Sequence, residues 1–141
     1  MKNPLVSIII PNYNKEEFLS ICIQSVLNQT YKNFEIIIID NFSSDRSLDV
    51  IKKFIDPRIN LFQFKNNGII AASRNFGIKK SNGKYLAFLD SDDYWMKDKL
   101  SESVKVLEKG ADFIYHDCIL FSKNFKKRRI TKSRSLKKPI K

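Results

Sequence analysis

Apolar residues fall into short, dense runs separated by stretches of helical period. Residues 5–10 are a nearly continuous β-branched run, broken only by Ser7, as a strand covered on both faces requires. A helix is expected next: Asn14 is placed to cap it, with Glu17 three positions on, and Phe18, Ile21, Cys22 and Val26 recur at helical spacing. Residues 34–39, richer still in isoleucine, predict a second strand. Ser43 or Ser44 is expected to cap a second helix running through Leu48, Ile51 and Phe54 until Pro57 stops it. Residues 59–64 predict a third strand, 71–80 a third helix ended by Asn82-Gly83, and 85–89 a fourth strand. A fourth helix over 97–109 stops at Gly110, and 113–115 predict one more strand. Strands alternating with helices imply βαβ units, a mostly parallel twisted sheet and the α/β class.

A chain of 141 residues with 43% apolar residues can bury one real core. No apolar run approaches the ~18 residues of a membrane-spanning helix, and no cleavable leader is visible. Two widely spaced cysteines, Cys22 and Cys118, then read as reduced thiols of a cytoplasmic protein, with Cys22 buried and inert. The net charge of +11 suggests a nucleic-acid binder until it is located. Residues 1–117 hold 16 Lys/Arg against 15 Asp/Glu, whereas residues 118–141 hold 10 Lys/Arg and no acid. The charge belongs to the tail, and no nucleic-acid partner is expected for the body.

Open parallel sheets bind ligands in the crevice beyond the carboxyl ends of their strands. Each predicted strand is followed by polar residues: Pro11-Asn12-Tyr13-Asn14, Asp40-Asn41, Asn66-Asn67-Gly68 and Asp90-Ser91-Asp92-Asp93. In extended chain, Asp90 and Asp92 offer carboxylates on one side while Ser91 faces elsewhere. Two such carboxylates suit a hard divalent ion that keeps waters and takes its other ligands from substrate phosphates. The same four residues could instead cap the following helix, with Asp93 the best candidate for that task. No Gly-x-Gly-x-x-Gly follows the first strand and no Gly-Lys-Ser/Thr is present, which disfavours dinucleotide-binding and P-loop folds.

Val6 to Asn14, Phe34 to Asp40, Asn67 to Gly77 and Gly83 to Asp93 resemble, in order and spacing, the successive motifs of family 2 glycosyltransferases. The resemblance covers residues 5 to about 117. It implies a GT-A fold, a Rossmann-like αβα sandwich of the nucleotide-diphospho-sugar transferases, and inverting transfer from a nucleotide-diphosphate sugar, usually UDP-linked, to a saccharide or lipid-linked acceptor. By the same resemblance Pro11, Tyr13 and Asn14 lie at the nucleotide, and Asp40 bonds the base or ribose. Arg74 lies near the nucleotide or diphosphate, with Ser91 between the two acids. Asp90 and Asp92 hold Mn2+ or Mg2+, Asp92 directly and Asp90 through ribose or metal.

Two departures stand out. Many members carry Asp-Asp-Gly-Ser after the second strand, where this chain has Asp40-Asn41-Phe42-Ser43. The family's catalytic domain also continues past the acidic motif to supply a general base, whereas no residue after Asp117 is acidic. Residues 1–117 are therefore expected to form the donor-binding domain of a truncated fold with no assigned base. Residues 118–141 are a basic tail or the start of the acceptor-binding half. Such a tail could rest on the inner face of an anionic membrane where lipid-linked acceptors lie, or be left unfolded. A non-catalytic nucleotide-sugar binder and a tail-driven nucleic-acid module are the alternatives. Trp95 and His116 have sugar-stacking and proton-transfer readings, each beside a plainer structural one.

Overall fold

The computed structural model describes residues 3–121 and 128–131, in two compact units, Met1–Ser101 and Glu102–Lys141. The first unit holds four parallel strands, β1 (Val6–Asn12), β2 (Phe34–Asp40), β3 (Ile59–Gln63) and β4 (Tyr85–Phe88), in the order β3-β2-β1-β4. Helices α1 (Glu16–Leu27), α2 (Ser47–Lys52) and α3 (Ile70–Lys80) connect them, and α4 (Lys99–Leu107) follows β4. Strand order sets the layers. The β1-to-β2 and β2-to-β3 crossovers move one way along the sheet and the β3-to-β4 crossover moves back. Right-handed connections therefore put α1 and α2 on one face and α3 on the other. This is the expected αβα sandwich.

Burial follows strand position. Central strands β1 and β2 are covered on both faces, and Ile8, Ile9, Ile10, Ile36, Ile38 and Ile39 have no exposed surface. Each contributes about 1.5–3 kcal/mol by the transfer of its side chain out of water. Outer strands β3 and β4 alternate between half-buried and exposed residues. On the α3 face, Ile9, Ile37 and Ile39 pack with Phe62, Phe64 and Phe76. Gly77 lets α3 come that close: a Cβ there would lie 2.6 Å from Ile9 Cγ2 and 2.8 Å from Ile39 Cδ1.

β1 runs two residues past the predicted end, through Pro11. Alternate residues of a parallel strand address opposite neighbours. Ile9 accepts from Leu89 N on the β4 side and Asn12 accepts from Asn41 N on the β2 side. Pro11 thus faces the β4 side just beyond the Ile9–Phe88 pairing where that ladder ends, and its missing N–H leaves no bond unmade.

The predicted caps are corrected by the structure. Asn14 does not cap α1 and neither Ser43 nor Ser44 caps α2, for the helices begin at Glu16 and Ser47. Instead the two N-termini cap each other. Asp45 Oδ2 accepts from Glu16 N at 3.0 Å, Glu16 Oε2 accepts from Arg46 N at 2.6 Å, and Ser47 Oγ accepts from Lys15 N at 3.1 Å. On α1 the buried face is Leu19, Cys22, Ile23 and Val26, whereas Phe18 and Ile21 are exposed.

In the second unit no strand forms at Phe113–Tyr115; β5 (Cys118–Phe121) pairs antiparallel with β6 (Arg128–Thr131). Part of the segment read as an unfolded tail is thus a strand pair, and residues 122–127 and 132–141 lie outside the described residues. Among the described residues, no helix is long and apolar enough to cross a membrane.

Candidate functional site

The chain leaves β1 toward β2 on one side and reaches β4 on the other, so the carboxyl ends of β1 and β4 form the switch point at which such sheets bind ligands. Asp90, Ser91 and Asp92 follow β4 there. Ser91 is buried, while the side chains of Asp90 and Asp92 are each 43% exposed. The helix-capping reading of this segment fails, because α4 starts only at Lys99 and Leu100 N is bonded by Gln29 Oε1 at 3.0 Å.

Each carboxylate has drawn a cation. Arg74, from α3, donates to Asp90 Oδ1 at 2.7 Å, and Lys15, from the β1–α1 loop, donates to Asp92 Oδ2 at 2.8 Å. The bond to Asp92 and its charge hold the Lys15 ammonium above its ordinary pKa. Asp93 is raised, first by partial burial and then by the charges of Asp92 and Asp90. Cys22, beneath the segment with Sγ 3.6 Å from Asp90 O, is pushed up to about 12 by burial, with Asp93, Asp92 and Asp90 adding to it. A thiol so placed is inert, as its buried position predicts. Arg74 Nε is buried without an acceptor among the described residues, while the side chain as a whole is 34% exposed.

Asp40 and Asn14 sit in the same rim, Asp40 facing inward and Asn14 exposed. Asp40 is fully buried: Oδ1 accepts from Asn12 Nδ2 at 2.9 Å and Ser43 Oγ at 2.5 Å, and Oδ2 accepts from Ser43 N at 2.9 Å. Asn14, at φ 50°, accepts from Ser44 N at 2.8 Å. In this arrangement both residues tie the β1–α1 loop to the β2–α2 loop. Pro11 is buried in β1, and Tyr13 is 54% exposed.

Tyr13 opens onto a cleft of about 470 Å³ lined also by Asn41, Phe42, Lys65 and Asn67. Asn41 Oδ1 accepts from Asn66 N at 2.9 Å, and Asn66 in turn bonds Ser73 Oγ on α3 at 2.9 Å, so the loops after β2 and β3 are joined to that helix. Sequence reasoning does not single out Lys15, which pairs with Asp92, or Lys65, which lines the Tyr13 cleft with Phe42. Phe42 was visible only as a departure from a glycine, and Lys15 as the residue following Asn14. Trp95 is half-buried with the Lys99 ammonium 4.1 Å above its ring, and exposed His116 is 3.0 Å from Ser103 Oγ.

Among the described residues no three metal-ligating side chains cluster. Two half-exposed carboxylates on cations nevertheless fit a hard divalent ion whose other ligands are water and phosphate oxygens.

Comparison with known proteins identifies the family and the fold. The model of glycosyl transferase family 2 matches residues 7–140. The Escherichia coli UDP-Glc:alpha-D-GlcNAc-diphosphoundecaprenol beta-1,3-glucosyltransferase WfaP is 42% identical over 123 residues, 86% of this chain and 48% of that protein. The putative teichuronic acid biosynthesis glycosyltransferase TuaG of Bacillus subtilis is 37% identical over 115 residues, 79% of this chain and 46% of its own. The chain spans about half the length of these curated relatives. Staphylococcus aureus TarS, in a crystal structure with UDP, superposes with a TM-score of 0.70 at 27% identity, over 82% of this chain and 34% of TarS. The fold is that of the GT-A transferases, and the chain belongs to glycosyltransferase family 2.

Proposed function

We propose that this chain carries the donor-binding half-site of an inverting glycosyltransferase that takes a UDP-linked sugar and a saccharide or lipid-linked acceptor. The observation that carries this reading is the pairing of Asp90 with Arg74 and of Asp92 with Lys15 at the sheet's switch point, beside the Tyr13 cleft. WfaP is named for a UDP-glucose donor and a diphosphoundecaprenol acceptor, and TarS crystals hold UDP and UDP-GlcNAc, which supports the donor and acceptor classes. A lipid-linked acceptor lies at a membrane surface on the cytoplasmic side, and the ten cations of residues 118–141 suit an anionic one.

In this reading Tyr13 offers a ring to the base, while Pro11, Asn14 and Asp40 hold the loops that shape its pocket. Arg74 meets the diphosphate, and Ser91 fixes the spacing between the two acids. Asp90 and Asp92 would hold Mn2+ or Mg2+, which would offset negative charge on the departing diphosphate. Lys15 pairs with Asp92 and is free to meet a phosphate once that carboxylate is otherwise engaged.

Calorimetric titration with UDP, with Mn2+ present and then chelated, tests the reading, with Asp92→Asn as control and GDP as competitor. Binding is expected to need the metal, to weaken at least tenfold in the variant and to resist GDP. A folded protein that binds neither nucleotide refutes it.

A further inference from the structure

Phe42 sits at φ 52°, in the left-handed region that β-carbons disfavour. A bulky residue is an outlier there, at a cost of about 1–2 kcal/mol that glycine would not incur. Its neighbours force the conformation. Asn41 N donates to Asn12 O at 2.9 Å, Ser43 N to Asp40 Oδ2 at 2.9 Å and Ser44 N to Asn14 Oδ1 at 2.8 Å, so the backbone is fixed on both sides. Burial does not offset the strain, since Phe42 is 55% exposed. Strain held in place by its surroundings, at a residue that packs little, points to a role outside the fold.

The surroundings say which role. Phe42 and Tyr13, both more than half exposed, line the same cleft, and Lys65 stands at its edge. Two open aromatic rings on loops tied by hydrogen bonds suit a planar heterocycle, whose faces stack on either ring without regard to its hydrogen-bonding edge. Building on the donor-site reading above, we propose that Phe42 is a further donor-binding residue, a second aromatic wall that stacks on the nucleobase of the donor together with Tyr13. A phenylalanine at this left-handed position trades backbone ease for affinity toward the base.

The test measures UDP and pyrophosphate binding, each with Mn2+, in wild type, Phe42→Gly and Phe42→Asn, alongside thermal melts. Both replacements tolerate the left-handed backbone. UDP binding is expected to weaken roughly tenfold in each, from loss of one stacking partner, while pyrophosphate binding stays unchanged. Melting temperatures are expected to hold or rise, so affinity and stability move in opposite senses. UDP affinity equal in all three proteins overturns this proposal alone. A lower melting temperature in both variants, with UDP and pyrophosphate weakened alike, marks the ring as packing and also overturns it. Wild-type protein that binds pyrophosphate but no uridine compound overturns the donor-site reading and this proposal with it.

Discussion

Replacing Lys15 with methionine keeps the aliphatic stem and removes one charge, which isolates what the ammonium does at Asp92. The 2.8 Å pair has side chains 39% and 43% exposed, so solvent screens it. Two unit charges ~4 Å apart interact by about 1 kcal/mol in water and about 4 kcal/mol at an effective dielectric constant near 20. Entropy and screening bring half-exposed pairs to roughly 1 kcal/mol or less. Fold stability is therefore expected to change by under about 1 kcal/mol in Lys15→Met. Metal binding is expected to change more visibly, because a divalent ion reaching Asp92 must first displace the ammonium. Relief of about 1 kcal/mol corresponds to roughly fivefold tighter Mn2+ binding without nucleotide. Titration of the free aquo-ion signal by electron paramagnetic resonance reads this directly, and added salt should narrow the gap. At saturating Mn2+ the sign is expected to reverse for UDP, which loses a phosphate partner. Mn2+ affinity that is unchanged or weaker in Lys15→Met refutes the argument that Lys15 guards the carboxylate.

Two further outcomes test the frame around the site. Gly77→Ala pushes a methyl group against Ile9 and Ile39, and the overpacking is expected to cost about 1–3 kcal/mol by urea denaturation; a loss under about 0.5 kcal/mol would show that α3 shifts freely. Asp56 is held down to about 2, first by the Arg58 side-chain bonds and then by Arg58 N, with Arg58 also 4.2 Å above the Phe34 ring. A depressed carboxylate stabilises the fold above its unfolded value of ~3.9, and that stability is lost as pH falls toward 2. The side chains are 21% and 31% exposed, so screening lowers the effect to about 1 kcal/mol. Asp56→Asn should therefore cost about 1 kcal/mol at pH 7 and clearly less at pH 2.5; equal losses at both would refute the ionic origin.

What the sequence made legible is what local pattern determines. Isoleucine runs located β1 and β2, the alternating strands and helices implied a parallel αβα sandwich, and strand ends pointed to Asp90 and Asp92, whereas Arg74, inside α3, came only from the family resemblance. What it hid depends on partners distant in the chain. Asn14, Ser43 and Ser44 have cap-forming side chains, so each was read as serving its own helix. In the fold Asn14 and Ser43 bond across about 29 residues to the neighbouring loop. Phe18 and Ile21 matched the helical period of Cys22 and Val26 but lie outside the arc that the sheet covers. Residues 113–115 have strand-forming rings, yet pairing begins at Cys118, where an antiparallel partner exists.

The same long-range bonds explain why strain and charge coexist at one edge of this domain. Asp40, fully buried, has no oxygen left unmatched by Asn12 and Ser43, so its charge organises two loops rather than reaching solvent. Those loops carry Lys15 and Tyr13 on one side and Phe42 on the other, and Ser47 and Asp45 bond the first amides of α1. Ser43 and Asn14 thus join the loop that carries Phe42 to the loop that carries Lys15, whose ammonium bonds Asp92. The Tyr13 cleft and the acidic pair are two ends of a single hydrogen-bonded unit. Loosening Asp40 should therefore weaken base stacking and metal binding together, whereas trimming Phe42 or Lys15 should separate them.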